Sequence, residues 1–97
     1  MNVRVDDQKA KIRQRLNFLI ELERYEEAAG LDARASRLGL LDDEDLTYAL
    51  AYAHYRAGHV ARVEQLLVRL TRPDLYEKAT ALRQSIAACA DNPWECQ

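Results

Sequence analysis

Residues 46–58 read LTYALAYAHYRAG and residues 59–70 follow as HVARVEQLLVRL. In the first stretch Leu46, Ala49, Leu50 and Ala53 recur at three- and four-residue spacing, which lines one side of an α-helix. Tyr48, Tyr52 and Tyr55 recur at i, i+4 and i+7 and form a second stripe away from that side. Gly58 then supplies a helix stop, since glycine takes the left-handed conformation that ends a helix at no steric cost. Upstream, Asp42-Asp43-Glu44-Asp45 suits a helix start, where carboxylates meet the positive end of the helix dipole. A calcium loop would need spaced oxygen ligands and a glycine turn, which this run lacks. Downstream, Val60, Val63, Leu66, Leu67 and Leu70 predict a second helix with one apolar side.

Moving outward, Ile12, Leu16, Leu19 and Ile20 predict an earlier helix, with Phe18 and Leu22 widening its apolar side. Asp6 or Asp7 is the expected cap, and Lys9, Lys11, Arg13 and Arg15 fall on the opposite side. The next helix turns Ala28, Leu31 or Asp32, Ala35 and Leu38 inward; Glu26 and Glu27 occupy its first turn and Gly39 ends it. Beyond residue 70, Arg72-Pro73 breaks the chain. Pro73 suits a first helical position, and Leu75, Ala79, Leu82 and Ile86 carry the last helix until Asn92 and Pro93 stop it. The expected helices span 7–23, 25–38, 43–57, 60–70 and 74–90, with a tail at 91–97. Links this short make neighbours antiparallel, so the expected fold is one all-α domain over 1–97 with no strand.

Composition agrees. The chain has 97 residues, 48% apolar and 31% charged, with only three glycines and two prolines. That balance excludes a disordered chain and a membrane-embedded one. A formal charge of −2 disfavours nucleic-acid binding, which usually calls for a basic surface. No run reaches the ~18 apolar residues of a membrane span, and the opening MNVRVDDQKAKIRQ has no apolar signal core. Cytoplasmic location without membrane insertion is the expectation.

Two stretches match each other. LNFLIELERYEEAAGL (16–31) and YALAYAHYRAGHVARVEQL (48–66) each hold a helix, a short turn and a second helix. Residues 23–28 align with residues 58–63 at an offset of thirty-five. Periods of this size mark helical arrays; the last helix is then the first half of an incomplete third unit, or a cap. The second unit resembles the tetratricopeptide repeat: Leu50, Ala51, His54 and Gly58 take that family's places on its first helix, followed by Val60, Val63 and Leu67. His54 stands where the family usually has Tyr, and Val63 where it has Ala. The first unit departs further, with Leu16 in the small-residue place and no glycine in its turn.

The resemblance implies an antiparallel helical repeat whose first helices line a partner-binding groove. On this sequence that groove is made by Tyr48, Tyr52, Tyr55 and Arg56, continued by Tyr76, Thr80 and Arg83 on the last helix and by Arg13, Asn17 and Ile20 on the first. More loosely, the acidic start, LTYALAYAHYRAG, ARVEQLLVRL and the Pro-Asp link are similar to the cytoplasmic chaperones of type III secretion needle subunits. That likeness implies an amphipathic helix as partner, with a second small helical co-chaperone outside. Mitochondrial fission adaptors share a YxLAxxxYRxG-like stretch and add a membrane-anchoring tail where this sequence reads DNPWECQ. A core role for the tyrosines, packed against the first and last helices, stands open beside the groove role. Two other functions also stand: a generic repeat scaffold or adaptor, and a helix-turn-helix DNA regulator. The latter is disfavoured because residues 26–47 carry seven acids and two arginines.

Other chemistry is sparse. His54, His59, Cys89 and Cys96 lack a tight Cys-x2-4-Cys knuckle, so no metal is expected. A disulfide between Cys89 and Cys96 is geometrically possible if the tail folds back; a cytoplasmic setting disfavours it, and the sequence leaves the redox state of the two cysteines open. Ser36 and Ser85 lie within helices with no nucleophile elbow, and there is no phosphate loop; the expectation is a non-enzyme without cofactor. Trp94 either folds back on one of the last two helices and clamps the tail, the favoured reading, or anchors a partner.

Overall fold

The pairing of apolar helix sides sets the architecture. The computed structural model describes residues 3–91. These form α1 (Val3–Glu21), α2 (Tyr25–Ala29), α3 (Leu31–Arg37), a 3-10 turn at Leu40–Asp42, α4 (Glu44–Ala57), α5 (Val60–Leu67) and α6 (Pro73–Asp91). With α2 and α3 as two pieces of one bent helix, the fold is all-α with five helices and no strand among the described residues. Helix α4 is central, packing against α1, α2, α5 and α6. Its Leu46, Leu50, Ala51 and Ala53 are buried with Leu16 of α1, Ala28 of α2, Val63 and Leu66 of α5, and Leu75 and Ala79 of α6.

Several boundaries differ from the sequence reading. Helix α1 begins at Val3, so Asp6 and Asp7 lie inside it and not at its start. The second helix breaks at Gly30, the poorest helix former in that stretch. Helix α5 ends at Leu67, after which Arg69 and Leu70 N–H donate to Leu66 and Leu67 carbonyls in a tighter turn. The 3-10 turn buries Leu40 and Leu41, for which helical spacing has no place. Phe18, Leu22, Leu38 and Val60 were expected on inner faces but are exposed, because no described element packs against those flanks.

Two carboxylates order the start of α4. Asp43 is its cap: Leu46 N–H donates to Asp43 Oδ1 at 3.2 Å, while Lys9 Nζ and Arg13 Nη1 of α1 stand 3.4 and 3.8 Å from Oδ2. Burial pushes the Asp43 carboxyl up, but the Leu46 N–H and the two cations outweigh it and hold it below the usual range. Glu44 reaches the α5–α6 link. Its Oε1 accepts the N–H groups of Thr71 (2.7 Å) and Arg72 (2.9 Å), and its Oε2 accepts the Thr71 hydroxyl at 2.6 Å. Pro73, which has no N–H to satisfy, opens α6 directly after these contacts.

The turns between α1 and α2 and between α4 and α5 have the same backbone shape. Glu23 has φ 58° and Gly58 φ 90°, both left-handed. The following residues, Arg24 (φ −91°, ψ 69°) and His59 (φ −91°, ψ 66°), nearly coincide. Arg24 N–H donates to Leu19 O and His59 N–H to His54 O, each at 2.8 Å. The two turns are thirty-five residues apart, the offset found in the sequence.

Candidate functional site: the outer face of α4 and the polar network behind it

Helix α4 presents two chemistries. On its outer face Tyr52 is half-buried. Its ring meets Tyr25 edge-on at 6.1 Å between centroids and Tyr55 at 6.5 Å. Arg56 lies one turn further along, with its guanidinium carbon 4.8 Å from the centre of the Tyr25 ring, and its Nη1 donates to the Tyr52 hydroxyl at 3.3 Å. That bond, against the cost of desolvation, holds the Arg56 pKa above its usual value. Nearer the start of α4, Lys78 of α6 places its ammonium 5.7 Å from the centre of the Tyr48 ring. Burial, then the neighbouring Tyr52, push the Tyr48 hydroxyl pKa up, so Tyr48 is a neutral phenol at neutral pH.

The sequence-derived groove residues divide into three groups. Tyr48 and Tyr55 are half-buried and pack against the core, while Tyr52 and Arg56 stand further out. The stripe is therefore an edge: its inner tyrosines are fixed by the core and its outer one is fixed by other polar and aromatic groups. Arg13 and Asn17 of α1 face Asp45 and Ala49 of α4 across a shallow open depression of about 80 Å³. Ile20 is half-buried against the core. From α6 the residue that reaches the stripe is Lys78. Arg83 is instead drawn to Glu64 of α5 at 3.3 Å, and Tyr76 is 57% exposed with Thr80 donating back to its carbonyl. Tyr76, Thr80 and Arg83 are thus not gathered with the tyrosines of α4. Lys78 lies one helical turn from Leu75 and Leu82, and nothing local in the sequence separates the two flanks of that helix.

Behind α4 lies a cluster that helical spacing does not reveal. Asp32 of α3 is 6% exposed and His54 of α4 is 8% exposed. Arg62 of α5 donates to both carboxylate oxygens of Asp32, at 2.6 and 2.8 Å, and the Ser36 hydroxyl donates to Oδ1 at 2.9 Å. His54 Nε2 lies 2.7 Å from Asp32 Oδ2, His54 Nδ1 lies 3.0 Å from His59 Nδ1, and His59 Nε2 lies 2.9 Å from Glu26 Oε1. The two histidines thus bridge the carboxylates of Asp32 and Glu26 through their ring nitrogens. Burial alone would raise the Asp32 pKa; the bonds from Arg62, His54 and Ser36 overcome it and bring it to about 2. No buried side-chain nitrogen or oxygen among the described residues lacks a partner, so the cluster is a closed structural joint between the two hairpins.

Cys89 is half-buried near the end of α6 and disulfide-bonded. The bonded state of Cys89 is the alternative that the assumed compartment disfavoured and the geometry allowed. Cys96 and Trp94 lie outside the described residues. Among the described residues no group of three or more His, Cys, Asp and Glu side chains is placed to hold a metal ion. No helix of the described residues is long and apolar enough to cross a membrane. No protein family matches the chain, and no curated protein or solved structure matches it either.

Proposed function

We propose that this chain is a protein-binding module of tetratricopeptide-like build, and that the outer face of α4 receives an amphipathic helix from another protein. The observation that carries this reading is Tyr52. Its ring is held in place by Tyr25, Tyr55 and Arg56 instead of by the apolar core. Preordered aromatic area costs little entropy when it is covered by a ligand, and tyrosine and arginine are favoured at binding hot spots. Helix-in-groove recognition buries the ligand's i, i+3, i+4, i+7 apolar line against such a surface. Two further observations support it: the turns at Glu23 and Gly58 share one backbone shape at the thirty-five-residue offset, and the side chains of α1 and α4 leave an open depression beside the stripe. Within this reading a small chaperone role, of the kind the type III secretion likeness implies, is the concrete form we favour.

The test is to recover partners by co-purification from the native cell with mass spectrometry, and then to measure the affinity of the recovered partner. Tyr52→Ala should weaken binding tenfold or more, as expected of a central anchor, whereas Arg69→Ala should leave it unchanged. The affinity is read at a temperature where the variant is fully folded; wild-type affinity there retires the groove.

A further inference from the structure

We infer that the helix received by the α4 face is acidic along its flank, with carboxylates about seven residues apart that pair with Lys78 and Arg56. This rests on the docking reading above and specifies the partner for it. Arg56 and Lys78 are the two cations among the described residues that sit over aromatic rings, those of Tyr25 and Tyr48. Neither has a carboxylate within ion-pair distance; Glu23 is near enough to favour the charged form of Arg56 but forms no ion pair with it. The acid of α4 on the same side, Asp45, is already held by Arg72 at 2.9 Å, and Asp43 is held by Lys9 and Arg13. Lys11, Arg15, Arg34, Arg37 and Arg69 also lack ion pairs, but they stand on outer surfaces with no aromatic ring beneath them.

The stripe therefore presents tyrosines bracketed by two positive charges that have no ion-pair partner. From Tyr48, beneath Lys78, to Arg56 is eight residues, about 12 Å along the axis of α4 at 1.5 Å per residue. A ligand helix lying along α4 spans a similar length in seven or eight residues, so acids at i and i+7 meet both cations while the apolar line between them covers Tyr52. A basic helix would meet like charge at both ends, which penalises the wrong partner.

Three synthetic helices of the same Leu/Ala amphipathic sequence test this, carrying Glu, Gln or Lys at two flank positions seven apart. Each is titrated by fluorescence anisotropy against the full chain at low and high salt. The Glu helix should bind about fivefold tighter than the Gln helix, in line with two modest surface ion pairs, and the Lys helix weakest. Added salt should shrink the lead. Arg56→Gln and Lys78→Gln should each remove part of the lead, and Arg69→Gln none. Equal affinity for the Glu and Gln helices would overturn the acidic specificity and leave the docking face standing. Equal lead in the Arg56 and Lys78 variants would overturn it too. Failure of all three helices to bind the folded chain would overturn both readings.

Discussion

At Glu23 the first hairpin bends through a left-handed residue that carries a side chain; at Gly58 the second makes the same bend with glycine. The residues around the two bends also occupy matching places with different chemistry. Leu19 is buried and apolar where the second hairpin has His54, and exposed Arg24 pairs with Glu27 where the second has His59. The difference follows from neighbours. The second hairpin has another hairpin before it, and His54 and His59 reach Asp32 and Glu26 there. The first hairpin has no preceding unit among the described residues, and Leu19 simply closes its own core. Backbone shape is thus common to the two bends, while the polar residues at the second bend, His54 and His59, reach back to acids of the first hairpin and those at the first bend have no such counterpart among the described residues.

The sharpest way to break that contrast is Asp32→Ala. It leaves Arg62 and His54 without their shared carboxylate in a buried place, and should cost about 3 kcal/mol in chemical denaturation. Acid attacks the same joint. The folded pKa of Asp32, about 2, lies below its ordinary value of 3.8, so its contribution is complete above about pH 4 and is lost as the pH falls toward 2. The shift corresponds to roughly 2 kcal/mol. Urea midpoints between those pH values should fall in the wild type and fall less in Asp32→Ala. Gly58→Val tests the bend itself. No atom lies within 4 Å of a Cβ built there, so the Cβ meets no clash and the cost expected is backbone strain, roughly 1.5 kcal/mol; an unchanged melting curve would refute a strained bend. The smallest effect runs the other way: Glu23→Gly should relieve the first bend and stabilise by about 0.5 kcal/mol, net of the added freedom of the unfolded chain.

Much of the fold was legible because it is local. Apolar spacing marked the helices, Gly58 and Pro73 marked their ends, and the acids at residues 42–45 marked the start of α4. The stripe of Tyr48, Tyr52 and Tyr55 was legible for the same reason. What escaped depends on contacts between distant parts of the chain. The spacing left Leu31 and Asp32 as alternatives for an inner position, and only the arrival of Arg62 and His54, thirty and twenty-two residues away, makes burial of the acid tolerable. Glu23 at positive φ was invisible because nothing about glutamate announces it. The reach of Lys78, in place of Tyr76, Thr80 and Arg83, depends on how α6 is rolled against α4, which its own apolar line specifies only to within a flank.

The near end of α6 is tied down by the carboxylate of Glu44. Its three contacts to Thr71 and Arg72 sit immediately before Pro73 and act as the pin of a lever. Helix α6 has 19 residues, so at 1.5 Å per residue it is about 28 Å long, and a swing of about 10° at the pin would carry its far end through about 5 Å. Lys78, close to the pin, would hardly move, while the Cys89 end would sweep widely. One glutamate thus anchors the near end of α6, and a change there would shift the far half of α6 relative to α4 without touching any residue of the tyrosine stripe.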